Sequence, residues 1–173
     1  TPHHFAQDHS RCHDYSPLFK MNPPLREPDD VAAVADGLAD GTIDCIATDH
    51  APHTATEKEL QFDQAPFGVI GLETAFAAGV TYLVEAGKLD LGQLVRCMSE
   101  RPAGVLDLAI GRLEEGLEAD FVLLDPRREW TVGPATLRSR SHNSSFLGET
   151  LKGCVMATFL RGRLTYRAED PER

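Results

Sequence analysis

The short apolar run Ile43-Asp44-Cys45-Ile46-Ala47-Thr48, halted by Asp49-His50-Ala51-Pro52-His53, constrains this chain more than any other feature. Its length and β-branched content are those of a buried strand. A helix is written just before it. Pro28 suits a first helical position, Asp29 and Asp30 favour the positive end of a helix dipole, and Val31, Val34, Ala35 and Leu38 recur at helical spacing until Gly41. A long polar stretch containing Pro52 and Pro66 follows to Gly68, after which Leu72, Phe76, Val80, Leu83 and Val84 mark a second amphipathic helix. Helix, buried strand, long loop and helix is the order of a parallel α/β fold. In such folds chemistry collects on loops at the carboxyl ends of strands, and Asp49 stands at that place.

The flanking segments read differently. Thr1 to Arg26, rich in Pro and His, predicts loops. Asp90 with Gln93 resembles a capping box opening a third helix through Val95 and Met98, which Pro102 is expected to break before a short turn through Leu106. Beyond about Gly111 the pattern turns to strands at Ala119–Asp125, Gly153–Leu160 and Arg163–Tyr166, the last two joined through Arg161-Gly162 as a hairpin. Arg127-Arg128 reads as a solvated turn. The expected division is therefore an α/β unit over 1–110 and a small β module over 111–173.

Composition removes several function classes. A hydrophobic fraction of 42% over 173 residues is that of a globular protein. No apolar run approaches the roughly 20 residues that cross a bilayer, and the start has neither the basic region nor the apolar core of a signal peptide. The expectation is a soluble, cytoplasmic protein with no membrane partner. A formal charge of -10, with 17 Lys and Arg scattered along the chain, argues against nucleic acid. Cys12, Cys45, Cys97 and Cys154 lie far apart with no C-x-x-C pair, which reads as reduced thiols rather than zinc ligands or a disulfide framework. The sequence opens without methionine inside what reads as a motif, so part of a longer protein is expected.

Asp49, flanked by His50 and His53, has the chemistry of a metal ligand, a general base, or both. A histidine pair at this spacing in a loop equally serves as a hydrogen-bonded structural feature. Asn22 ahead of two prolines reads, alone, as a turn residue, Phe67 as loop packing, and Arg26 as a solvated or salt-bridged group. Asn143-Ser144-Ser145 fits the N-x-S glycosylation pattern, which is common by chance.

The string Ile46-Ala47-Thr48-Asp49-His50-Ala51-Pro52-His53 resembles the segment after the last barrel strand of class I dihydroorotases, members of the amidohydrolase superfamily. Met21-Asn22-Pro23-Pro24-Leu25-Arg26 resembles the family's asparagine-bearing loop, and Ala65-Pro66-Phe67-Gly68, with Gly71-Leu72-Glu73-Thr74 behind it, its substrate-covering loop. Thr1-Pro2-His3-His4 resembles a turn after an earlier strand. Gly116-Leu117-Glu118-Ala119-Asp120-Phe121 resembles the start of the closing β module, and Phe146-Leu147-Gly148 a loop within it.

The resemblance implies a carboxy-terminal fragment: the last portion of a metal-dependent (β/α)8 TIM barrel over 1–110, followed by part of a composite β-sandwich module over 111–173. The implied activity is reversible hydrolysis of (S)-dihydroorotate to N-carbamoyl-L-aspartate in pyrimidine (UMP) synthesis, with zinc, two ions, as cofactor. In that scheme Asp49 binds the more buried zinc and carries a proton from the attacking nucleophile to the leaving amide nitrogen. Asn22, His53 and the Phe67-Gly68 backbone hold dihydroorotate, while His3 and His4 orient their loop. The family's His-x-His pair and its other metal ligands do not occur in this sequence, so the chain alone is expected to be inactive and to fold poorly. The implied partners are the small-molecule substrate and either aspartate transcarbamoylase or further copies of the same protein. Two alternatives stay open: a silent scaffold subunit of aspartate transcarbamoylase, and another cyclic amidase such as a hydantoinase or allantoinase.

Overall fold

The computed structural model describes residues 1–168, so the last five residues expected in the β module lie outside the described residues. The first segment is less irregular than its composition predicts. Helix α1 spans Pro2–Ala6 with Pro in its first turn, and 3-10 turns follow at His9–Cys12 and Pro17–Phe19. The expected helix is α2, Pro28–Asp40, closed by Gly41 at φ 86°. Asp30 Oδ2 accepts from the Glu27 N–H at 3.2 Å, which satisfies one of the orphan donors at its start.

Ile43–Thr48 does not form the expected strand. Apolar periodicity specifies an extended, buried segment, but a strand also needs a hydrogen-bonded neighbour. Among the described residues the segment has no ladder partner: a single parallel bridge joins His50 to Val69, just past the run. The Ile46 N–H is instead taken up by the Cys97 carbonyl at 2.9 Å. The polar stretch after Asp49 also holds an unforeseen helix, α3, Ala55–Lys58, opened by a Thr54–Glu57 capping box.

Two helical runs form the centre. The first is α4, Ala75–Gly79, continued by a π-helical turn at Val80–Val84. The second is α5, Leu91–Val95, a π-helical turn at Arg96–Glu100, and α6, Arg101–Val105. The Asp90–Gln93 capping box is present, with both bonds at 2.7 Å. Pro102 does not break this run: it lies in the first turn of α6, where a missing N–H costs little, directly after the wider π turn. All five residues of α4 are buried. A Cβ at Gly79 would stand 2.6 Å from Leu94 Cδ1, so glycine is what lets the two runs touch.

The three expected strands are present as β1 (Phe121–Thr131), β2 (Thr150–Leu160) and β3 (Arg163–Arg167), antiparallel in the order β1-β2-β3. Register runs from Phe121 opposite Phe159 to Thr131 opposite Thr150, and the two phenyl rings stack at 4.5 Å. Arg127-Arg128 is not a terminal turn. It lies within β1 at a register shift between Asp125 and Glu129, where Asp125 Oδ1 accepts from the Arg127 N–H at 2.9 Å. β2 lies on α4, and Val132, Phe146 and Leu151 join Leu38, Phe76, Leu83 and Leu94 in one apolar core. A sandwich requires a second facing sheet; the described residues form one sheet of three strands. Among the described residues no helix is long and apolar enough to cross a membrane.

Candidate active site

Asp49 sits at the end of the extended run with φ 48°, a left-handed conformation that turns the chain out of line and leaves the residue exposed. The next residue is anchored. His50 Nδ1 accepts from the Gly71 and Leu72 N–H groups at 3.2 and 3.4 Å, so its ring is a structural peg for the approach to α4. The Ala51 N–H donates to the Val69 carbonyl at 2.9 Å. His53 Nε2 donates to the Phe67 carbonyl at 2.9 Å, while its Nδ1 lies 3.8 Å from Glu57 Oε2. These bonds lace the His50–His53 segment to the 67–72 loop.

Gly68 is the tight point of that lacing. Its φ is 112°, and an added Cβ would stand 2.5 Å from Ala51 Cβ and 3.6 Å from His53 Nε2. Its N–H donates to the Lys20 carbonyl at 2.9 Å, which brings in the Asn22 loop. That loop is held from beneath by a separate small core of Met21, Leu25 and Val69, and it contains a cis bond between Asn22 and Pro23. Asn22 itself is exposed beside this support. The Phe67 ring is 58% exposed, which removes core packing as its role, and Lys20 Nζ lies over its face at 4.6 Å.

His3 and His4 lie on the neighbouring segment. His3 is buried, and burial first, then the adjacent His4, pushes it down to about 3. Burial also lowers His4, offset in part by its bond to the Pro23 carbonyl and by the Asp49 carboxylate. His4 Nε2 donates to Pro23 O at 2.9 Å and its Nδ1 accepts from the Thr1 hydroxyl at 2.6 Å, so its neutral ring braces the Asn22 loop.

Two sets of residues escaped the reading from sequence. Lys20 and Lys58 are buried cations: Lys20 Nζ donates to Asp63 O at 3.0 Å, and Lys58 Nζ to Pro17 O and Pro66 O at 2.9 Å each. Burial, followed by the Lys20 charge, lowers Lys58 to about 8. The second set is Ser141 and Asn143. Asn143, read as a chance glycosylation pattern, is only 4% exposed and donates to the carbonyls of Ala51 and Gly68 at 2.9 and 3.2 Å. The available signal was the polar cluster Ser141–Ser145 directly ahead of Phe146-Leu147-Gly148. Glu73 secures that segment from behind, accepting from the N–H groups of Arg138 and Ser139 at 2.7 and 2.8 Å.

Asp49 fits one place in a metal site: an exposed carboxylate on a backbone that is bonded immediately afterwards. Zinc sites take about four ligands. Among the described residues no group of three or more His, Cys, Asp or Glu side chains is placed to hold one ion.

The Amidohydrolase family model matches residues 21–165. A dihydroorotase of Listeria innocua is 48% identical over 166 residues, covering 96% of this chain and 39% of that protein. A dihydroorotase of Elusimicrobium minutum is 46% identical over 164 residues, covering 95% and 38%. This chain therefore spans well under half the length of the curated relatives it matches. Among solved structures, the L-hydantoinase (dihydropyrimidinase) of Arthrobacter aurescens matches with a TM-score of 0.89 at 29% identity, over 96% of this chain and 38% of that one. The D-hydantoinase (dihydropyrimidinase) of a Thermus species gives 0.87 at 28%, over 95% and 38%. With the family model spanning the Asn22 loop, Asp49, the 67–72 loop, β1, β2 and the start of β3, the chain belongs to the amidohydrolase family.

Proposed function

We propose that this chain is the carboxy-terminal portion of a zinc-dependent dihydroorotase, which reversibly hydrolyses the cyclic amide of (S)-dihydroorotate to N-carbamoyl-L-aspartate in cytoplasmic pyrimidine synthesis. The observation that carries this reading is the bonding of His53, in the segment directly after Asp49, to the Phe67-Gly68 loop, and of Gly68 to the Asn22 loop, in a chain 48% identical to a dihydroorotase. In this reading residues 1–110 are the last part of a (β/α)8 barrel and 111–173 part of a composite β-sandwich module. Ile43–Thr48 is then a barrel strand that pairs with strands supplied by the rest of the protein.

Asp49 is one zinc ligand and the proton carrier. Zinc, when bound, supplies Lewis-acid activation of water and of the amide carbonyl. In hydrolysis the water oxygen bonds to the amide carbon, the carbon–nitrogen bond breaks, and the ring nitrogen needs a proton. Asp49 takes the proton that the water gives up and returns it to that nitrogen. Synthesis of the ring runs the same transfers backwards. Asn22 and His53 grip the ring and its carboxylate. The carbonyls of Phe67 and Gly68 each have a donor already, but a carbonyl oxygen accepts twice, so both can still take a ring N–H. Exposed Phe67 covers the ring.

The test is the rate of the intact, zinc-loaded protein on dihydroorotate, hydantoin and allantoin. Turnover of dihydroorotate at least about 100-fold faster than of the other two supports the proposal, a margin that hydrogen-bonded recognition of the substrate carboxylate readily supplies. The structural likeness to hydantoinases favours one second reading, a hydantoinase, which faster opening of hydantoin would establish. Turnover of none of the three would support a silent scaffold for aspartate transcarbamoylase.

A further inference from the structure

Three stretches far apart in sequence meet at one buried side chain. Asn143 Nδ2 donates to Ala51 O at 2.9 Å and to Gly68 O at 3.2 Å, and Oδ1 accepts from the His53 N–H at 3.2 Å. Reversing the amide would set its oxygen against two carbonyls and its NH2 against an N–H, so the surroundings admit one orientation. The Asn143 main-chain carbonyl adds a bond from the Ile70 N–H at 3.1 Å. Ser141 completes the arrangement: Oγ accepts from the His53 N–H at 3.1 Å, and its proton lies between the His53 carbonyl and Asn143 Oδ1.

We infer that Asn143, steadied by Ser141, is a positioning residue that sets the spacing of His53 and Gly68 for the cyclic amide. This rests on the function proposed above for those two residues. The physical reason is that Asn143 is a bridge of fixed length between two carbonyls. Gly68 already approaches Ala51 so closely that no Cβ fits between them. Without the amide donors the Ala51 and Gly68 carbonyls face each other across a buried gap, each short of a partner, and the two loops separate to reach water. Asn143 bonds Ala51 and His53 in the segment beyond Asp49, so its removal is expected to alter the grip on the ring and leave proton transfer in place. The sequence gives it a long lever: Asn143 stands in the connection between β1 and β2, so the module after residue 110 reaches directly into the loops of the site.

The experiment uses the intact protein, zinc-loaded, with whichever cyclic amide the wild type opens. Asn143→Ala and Asn143→Asp both lose the two donors, and each is expected to raise KM about 10-fold or more while kcat stays within about 3-fold. Thr136→Val is the control for a plain loss of stability, because Thr136 bonds only its own turn at Thr131 and Gly133. Ser141→Ala is expected to raise KM about 3-fold, and Ser141→Thr, which keeps a hydroxyl, to restore it. Amide hydrogen exchange at Ala51 and Gly68 is expected to quicken in Asn143→Ala and not in Thr136→Val. Asn143 variants whose KM and exchange match wild type, or that merely melt earlier as Thr136→Val does, overturn the inference. If neither Asn143 variant folds, equal KM values for Ser141→Ala and Ser141→Thr overturn it. A wild type that opens hydantoin instead of dihydroorotate rejects the substrate assignment alone, and the same variants then decide the role of Asn143 on hydantoin. If the wild type opens neither, exchange in Asn143→Ala decides it.

Discussion

The two sides of Asp49 are built differently. Upstream, Ile43–Thr48 is extended and apolar but has no ladder partner among the described residues, and Asp44, Ala47 and Asp49 are exposed. Downstream, His50 to His53 is bonded at nearly every step to the 67–72 loop, to Asn143 and, through Gly68, to the Asn22 loop, which has a small core of its own. The contrast teaches that the loop cluster after Asp49 is bonded together within a chain that spans 39% of a dihydroorotase relative, whereas the extended run before it lacks a ladder partner among the described residues. Variants on the two sides are expected to fail in different ways.

The largest effect is expected from the small core under the grip. Met21→Ala empties a site that is 2% exposed and should cost about 2–5 kcal/mol of stability in urea unfolding of the intact protein. A cost below about 0.5 kcal/mol, that of an ordinary surface substitution, would show that this core does not hold the loop. Next, Gly68→Ala forces a Cβ to within 2.5 Å of Ala51 Cβ. The loop must shift, and KM is expected to rise about 10–100-fold with a much smaller change in kcat. A KM that does not move would show the loop to be pliant.

A third effect is a pH slope. Lys58 is lowered from 10.5 to about 8 in the folded chain. Below about 8 both states carry the proton, and the cost of burying the charge is fully present. Between about 8 and 10.5 the folded state has released the proton while the unfolded chain still binds it, so stability rises with pH, by less than the ~1.4 kcal/mol per pH unit that one proton allows. Lys58→Gln should lose that rise. Unfolding curves taken from pH 7.5 to 10.5 measure it, and a falling slope in the wild type would mean that burial does not dominate at Lys58.

Much of this was legible in the residues. Pro28, the acidic pair and Gly41 bounded α2, Asp90 and Gln93 marked the start of α5, and Arg161-Gly162 located the β2–β3 hairpin, because each is a local rule with a local cause. Ile43–Thr48 was misjudged as a formed strand for the opposite reason: pairing is decided by neighbours, which periodicity does not contain. Pro102 misled because a π turn ahead of it relieved the bond it lacks. In the site, Asp49 and His53 came from one motif contiguous in sequence and Gly68 from a second, Ala65-Pro66-Phe67-Gly68. Asn143 and Lys58 matter only through contacts made across the fold or around a loop, and no spacing rule encodes an asparagine that bridges carbonyls at residues 51 and 68.

The division of labour is tested most directly at Asp49. In the intact, zinc-loaded protein Asp49→Asn removes the carboxylate proposed to carry the proton while leaving in place the bonds made by His50, His53 and Asn143. The expected result is a kcat on dihydroorotate lowered about 100-fold or more, with KM within about 3-fold of wild type. A kcat equal to wild type would contradict the account.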